Sequence, residues 1–203
     1  MLHVALWEPE IPPNTGNIAR LCAATGSRLH LIGRLGFRLD DRSLRRAGID
    51  YWHAVDVVRH ATFEDFEQAM GGPNPPVSLP EGKGEETRSA VSESEGLPPS
   101  PAERGSALDS PFLKGRGAGG AGSSAIWCVE TPAARPYTQA DFADGDCLLF
   151  GSESSGLPHA MRERYADRLI GIPMPGSGVV RSLNLATAVG IVLYDALRRL
   201  HGW

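Results

Sequence analysis

The residues that could do chemistry gather in three polar segments that follow apolar runs: Pro12–Gly16 with the stretch behind it, Gly151–Pro158, and Pro173–Asn184. Gly151-Ser152-Glu153-Ser154-Ser155-Gly156 has the glycine spacing of a phosphate-binding loop. A Walker A loop continues with Lys and then Ser or Thr, whereas this chain continues with Leu157 and Pro158. Its two lysines, Lys83 and Lys114, lie elsewhere, so the cation that would reach a terminal phosphate is missing. The same loop approaches the G-x-S-x-G elbow of serine hydrolases around Ser154. There, Ser152 occupies a position where the strained turn needs glycine. No G-x-G-x-x-G follows the first apolar run, which argues against a Rossmann dinucleotide site. A serine hydrolase survives as a weak rival to two readings: a loop whose backbone N–H groups meet a nucleoside, or a plain strand-to-helix turn.

The elements that must position these segments are short. Leu2–Trp7, Arg28–Ile32, Ala54–Val58, Ala125–Val129, Cys147–Phe150 and Leu169–Ile172 read as strands. Helices are expected at Thr15–Thr25, stopped by Gly26, at Asp41–Ala47, at Phe63–Met70, after Pro158, and from Leu183 to about Leu200. Strands alternating with helices imply an α/β fold, a mainly parallel sheet with helices on both faces. In such sheets ligands bind beyond the carboxyl ends of the strands, where the three polar segments fall. Residues 71–124 break the pattern, being rich in Gly, Pro, Ser and Glu with few large apolar residues. Burial there cannot offset a backbone ordering entropy of roughly 1–2 kcal/mol per residue. That stretch therefore reads as a disordered insertion within one domain spanning residues 1–203.

Composition excludes several classes. The 203 residues are 41% hydrophobic and 22% charged, ordinary for a globular protein. Apolar stretches such as Ala186–Leu193 are too short for a bilayer, so no membrane partner is expected. Met1–Trp7 runs into Glu8 without a basic segment, unlike a signal peptide. Cys22, Cys128 and Cys147 sit at no metal-ligand spacing, so no metal is expected, and their odd number suits a reducing cytoplasm. The net charge of −4 argues weakly against nucleic acid, yet Arg34, Arg38, Arg42, Arg45 and Arg46 crowd together. On a helix the last three share one side, either as a solvated face or as a phosphate contact.

Taken in order, the three segments resemble the motifs of the SpoU branch of the SPOUT RNA methyltransferases. Glu8-Pro9-Glu10-Ile11-Pro12-Pro13-Asn14-Thr15-Gly16-Asn17-Ile18-Ala19-Arg20-Leu21-Cys22 resembles the first motif, and Leu149–Pro158 the second. Ile172-Pro173-Met174 followed by Arg181-Ser182-Leu183-Asn184-Leu185-Ala186-Thr187 resembles the third. Leu39–Tyr51 is similar to the short members that methylate the tRNA wobble ribose. The resemblance implies a 2'-O-methyltransferase using S-adenosylmethionine on tRNA, a C-terminal deep trefoil knot, and a homodimer. It places Val129, Gly151, Ile172 and Ser182 at cofactor positions, held largely through backbone. It assigns Arg20, Glu153, Ser182 and Asn184 to the catalytic motifs, with Arg20 acting on the ribose hydroxyl near the partner's cofactor. Glu130-Thr131-Pro132 departs from a Thr-Thr-Lys-like pattern, and the 175–180 loop is longer than in close relatives. A non-catalytic RNA- or nucleotide-binding module on the same fold is the alternative.

Each residue also has a plainer role to fill. Asn14 and Asn17 could shape the start of the first helix, Asn184 and Ser182 could cap the last, and Glu153 could anchor loop N–H groups. Arg20 could be a helix-surface arginine. Leu185, Val189, Val192 and Leu193 form a stripe suited to a core or a dimer interface. The six histidines form no sequence motif and receive no catalytic role.

Overall fold

Cys147–Phe150 is wholly apolar and Arg28–Ile32 alternates polar with apolar residues, and both become strands buried almost end to end. The structure, a computed structural model, describes residues 1–37, 55–71, 124–176 and 178–202. Residues 72–123 of the expected insertion, and the expected helix at Asp41–Ala47 with Arg42, Arg45 and Arg46, lie outside the described residues. One compact unit, Met1–Pro75 with Ala121–Trp203, holds every residue described.

The strands are β1 (His3–Trp7), β2 (Arg28–Ile32), β3 (Val57–His60), β4 (Ile126–Val129), β5 (Arg135–Pro136), β6 (Cys147–Phe150) and β7 (Leu169–Gly171). They form one seven-stranded sheet in the order β3-β2-β1-β6-β4-β7-β5, with every pairing parallel. The chain builds outward from β1 through β2 to β3, crosses to the other side with β4, and later inserts β6 between β4 and β1. The carboxyl ends of β1 and β6 therefore lie side by side, at the switch point where parallel sheets open a crevice. The third strand lies later than expected from Ala54–Val58, and Ala54 itself is not described. Composition did not reveal β5. Two residues long and half proline, it fits only at the sheet edge, where a missing N–H leaves no ladder bond unmade.

The helices are α1 (Pro12–Thr25), α2 (Phe63–Ala69), α3 (His159–Arg164) and α4 (Leu185–His201). Helix α1 starts before the expected Thr15, because Pro12 and Pro13 occupy a first turn that needs no N–H partner. Gly26 ends it in the left-handed conformation, φ 66°. Thr62 and Asp65 form a reciprocal capping box on α2.

Side chains alternate across each strand, so each face of the sheet has its own cover. Val4 and Leu6 of β1 and Leu29 and Leu31 of β2 pack with Ile18 and Cys22 of α1 and with Val189, Val192 and Leu193 of α4. Most of the apolar stripe on the last helix is thus core, worth about 1.5–3 kcal/mol per fully buried side chain. Burial likewise makes Cys22 a packing residue and pushes its thiol up to about 12. The alternate residues carry aromatic rings: Trp7 meets Phe63 of α2, and Phe63 meets Tyr165 at the end of α3. Glu67 of α2 is buried there, 2.9 Å from Arg164 and hydrogen-bonded by the Tyr165 hydroxyl. Beside them His3, His30 and His60 form a continuous row. The His3 and His30 ring nitrogens are 2.9 Å apart, those of His30 and His60 2.8 Å, and Phe66 packs edge-on against the last two. Burial, reinforced by the neighbouring histidines, drives His30 down to about 3.

Candidate active site

The loops after β1, β4, β6 and β7 meet beyond the carboxyl ends of their strands and enclose a cavity of about 510 Å³. Six of the seven residues assigned from the sequence line it: Val129, Gly151, Glu153, Ile172, Ser182 and Asn184. Arg20 does not. It is exposed on α1 and lines an adjoining shallow groove with Asn17, Leu21 and Ala24, and Asn184 belongs to both recesses.

The second motif is built around a backbone crossing. A Cβ on Gly151 would lie 2.1 Å from the Gly156 carbonyl carbon, so only glycine lets the loop close on itself. Ser152 and Gly156 then exchange both backbone hydrogen bonds, at 3.2 and 2.9 Å, and the Ser152 and Ser155 hydroxyls pair at 2.7 Å. This compact loop projects Glu153 toward the start of α1.

There Glu153 accepts three hydrogen bonds: from the backbone N–H of Glu10 at 2.8 Å, from that of Ile11 at 3.3 Å, and from the Asn14 amide at 3.0 Å. Its charge lies at the amino end of α1, where the helix dipole favours an anion. Glu10 returns the contact, accepting from the backbone N–H of Ser154 at 3.1 Å and its hydroxyl at 2.6 Å. Ser154 is therefore held by a carboxylate, and among the described residues no histidine lines the cavity to serve a serine hydrolase as general base.

Asn14 continues the chain. Its amide oxygen accepts from the Asn184 amide at 2.9 Å, and the Asn184 oxygen caps α4 by accepting from Ala186 and Thr187 N–H at 3.0 and 3.3 Å. One path of side chains thus joins all three motifs. Asn184 is the cap expected of it. Asn14 is not a cap, since Ile11 holds that position without a side-chain bond. Buried inside the first turn, Asn14 instead connects the two other motifs.

Sequence reasoning gave no role to Arg181, quoted only within the third motif, or to Glu130, noted only as a departure from pattern, and both line the cavity. Glu130 is half-buried at the end of β4, and burial raises its carboxyl, opposed by the Leu157 N–H and the Arg162 charge. Among the described residues, no group of three or more His, Cys, Asp or Glu could hold a metal, and no helix is long and apolar enough to cross a membrane.

The chain matches the SpoU rRNA Methylase family over residues 1–96 and 120–194. It belongs to that family. A tRNA (cytidine(34)-2'-O)-methyltransferase of Escherichia coli K12 is 39% identical, over 98% of this chain and 94% of its own length. One of the same name from Saccharophagus degradans is 35% identical, over 98% and 96%. Among solved structures, one described as giving insights into 2-OH methylation of C/U34 on tRNA is 36% identical, with TM-score 0.69, over 100% of this chain and 98% of its own. A SpoU methyltransferase from Streptomyces viridochromogenes, in complex with the cofactor AdoMet, has TM-score 0.62 over 98% of this chain and 60% of its own. At 22% identity, that likeness shows the fold alone. In this SpoU family member the three motifs and the cavity coincide.

Proposed function

We propose that this chain is a tRNA 2'-O-ribose methyltransferase that uses S-adenosylmethionine and modifies cytidine or uridine at position 34, the wobble nucleotide. The observation that carries the reading is the Glu153–Asn14–Asn184 path, which ties three distant segments into one cavity. Relatives named for that activity cover nearly the whole chain, whereas a binding module would need none of this machinery.

The cavity suits the cofactor. Its volume of about 510 Å³ falls within the roughly 300–1,000 Å³ typical of small-molecule sites. The glycine crossing at Gly151 leaves backbone rather than side chain facing it. Val129, Gly151, Ile172 and Ser182 would hold the cofactor, which supplies an activated methyl group on a sulfonium.

The protein's part is alignment and charge. Holding a ribose hydroxyl in line with a methyl carbon can contribute about 7–11 kcal/mol. A guanidinium, with a pKa above about 12, is a poor base. Arg20 therefore binds the adjacent phosphate and stabilises the developing alkoxide, with the phosphate assisting proton removal. Glu153 and Asn184 hold the motif loops, and Ser182 lies at the wall of the cavity.

Arg20 lies outside its own chain's cavity, which supports a homodimer in which the partner's Arg20 completes the site. The C-terminal segment after β7 forms the trefoil knot of the fold family, and the enzyme works in the cytoplasm alongside tRNA.

The test is transfer of labelled methyl from S-adenosylmethionine to bulk tRNA, with the product nucleotide mapped. A 2'-O-methyl mark at position 34, reduced about 10²–10³-fold in Arg20→Ala, is the expected result. Label elsewhere on tRNA keeps the reaction and discards the position. No transfer and no cofactor binding would sink the assignment and favour an RNA-binding module.

A further inference from the structure

Glu130 is a cavity residue that the motif network leaves unexplained. It follows β4 directly and reaches across to the loop after β6, with its carboxylate oxygens 3.3 and 3.5 Å from the Leu157 backbone nitrogen. The contact is close enough that a Cβ on Gly156 would lie 2.4 Å from Glu130 Oε1. Among the described residues two carboxylates line the cavity, Glu130 and Glu153. Glu153 accepts three hydrogen bonds, whereas Glu130 has a single backbone donor among the described residues. Arg162, whose charge acts on it, is exposed to water and forms no ion pair with it. A half-buried carboxylate with one long hydrogen bond keeps unspent capacity to receive a cation. The upward shift that burial imposes on Glu130 agrees with that geometry.

We propose that Glu130 is a specificity-determining residue that reads the charge of the ligand, favouring the cationic sulfonium donor over the neutral thioether left after transfer. The inference rests on the cofactor reading above. In methyl transfer the carbon–sulfur bonding pair stays on sulfur, so donor and product differ at that atom by one methyl group and one positive charge. A carboxylate in the wall of a partly closed cavity discriminates between them at little cost to shared adenosine contacts, and it eases product release. Binding the cation also restores to Glu130 the compensation that burial removed.

The experiment is equilibrium binding of S-adenosylmethionine and S-adenosylhomocysteine to the full chain and to Glu130→Gln. Glutamine keeps an oxygen to accept from Leu157 N–H and removes only the charge. Donor affinity is expected to fall about five- to tenfold, as for a partly screened charge pair, with S-adenosylhomocysteine affinity held within about twofold. Retained S-adenosylhomocysteine binding also demonstrates that the variant's site is folded. Equal weakening of both ligands would overturn the proposal and make Glu130 a loop-building residue, and no change in either would overturn it as well. A wild-type chain that binds neither would instead remove the cofactor reading on which the proposal stands.

Discussion

Two chains of hydrogen-bonded side chains run through this molecule, and they are built in opposite ways. At the carboxyl ends of the strands, Glu153, Asn14 and Asn184 form a path that begins on a charge and ends at the amino terminus of α4. Across β1, β2 and β3, His3, His30 and His60 form a row of rings, the last two packed on Phe66. The first path can keep its charge because backbone N–H groups and a helix dipole surround it. The second keeps none, because burial disfavours the imidazolium. A neutral His30 donates from one ring nitrogen and accepts at the other, which satisfies both of its contacts. Polarity at the strand ends thus assembles a site, while polarity inside the sheet is a solved packing problem.

The largest effect should come from removing the apolar wall behind the histidines. Phe66 is fully buried, so Phe66→Ala is expected to cost about 3–5 kcal/mol in denaturant unfolding. Cofactor affinity measured well below the new melting point should be retained, and a matching loss of affinity would mean that the two chains are coupled.

Acid comes next. The folded state holds His30 depressed to about 3, so it binds fewer protons than the unfolded chain, whose histidine titrates near 6.5. The resulting stability is complete above about pH 6.5 and is lost as pH falls from there toward about 3, by up to ~1.4 kcal/mol per pH unit. His3 and His60 are shifted in the same direction. Glu67 and Glu130 are shifted upward and oppose this near the carboxylate range, so the slope is best compared between wild type and His30→Gln. Melting temperatures between pH 7 and 5 should decline less steeply in the variant. Parallel curves would contradict a neutral His30.

The smallest stability effect belongs to the site chain. Asn184→Ala removes the α4 cap and should cost about 1 kcal/mol. Its effect on methyl transfer should be disproportionate, at least about tenfold, because Asn14 loses the partner that holds the third motif. Equal, small losses in both measurements would reduce Asn184 to a cap.

Much of this was legible beforehand, for reasons of local physics. Apolar runs such as Cys147–Phe150 predict strands because no other arrangement buries both faces so briefly, and Gly26 marks the end of α1 through its left-handed backbone. The three polar segments fall after strands, so a parallel sheet already aims them at one end. Order and spacing of the motifs carried the family, and six of the seven residues they singled out line the cavity. Tertiary structure alone decided the rest. Asn14 joins Glu153 and Asn184 from 139 and 170 residues away, distances over which periodicity carries no information. The histidine row likewise forms only when β1, β2 and β3 lie side by side, and Glu130 meets Leu157 only across neighbouring strands. Sequence determines what each short segment can be. Which side chains finally meet depends on burial and register between segments, which exist only once the sheet has formed.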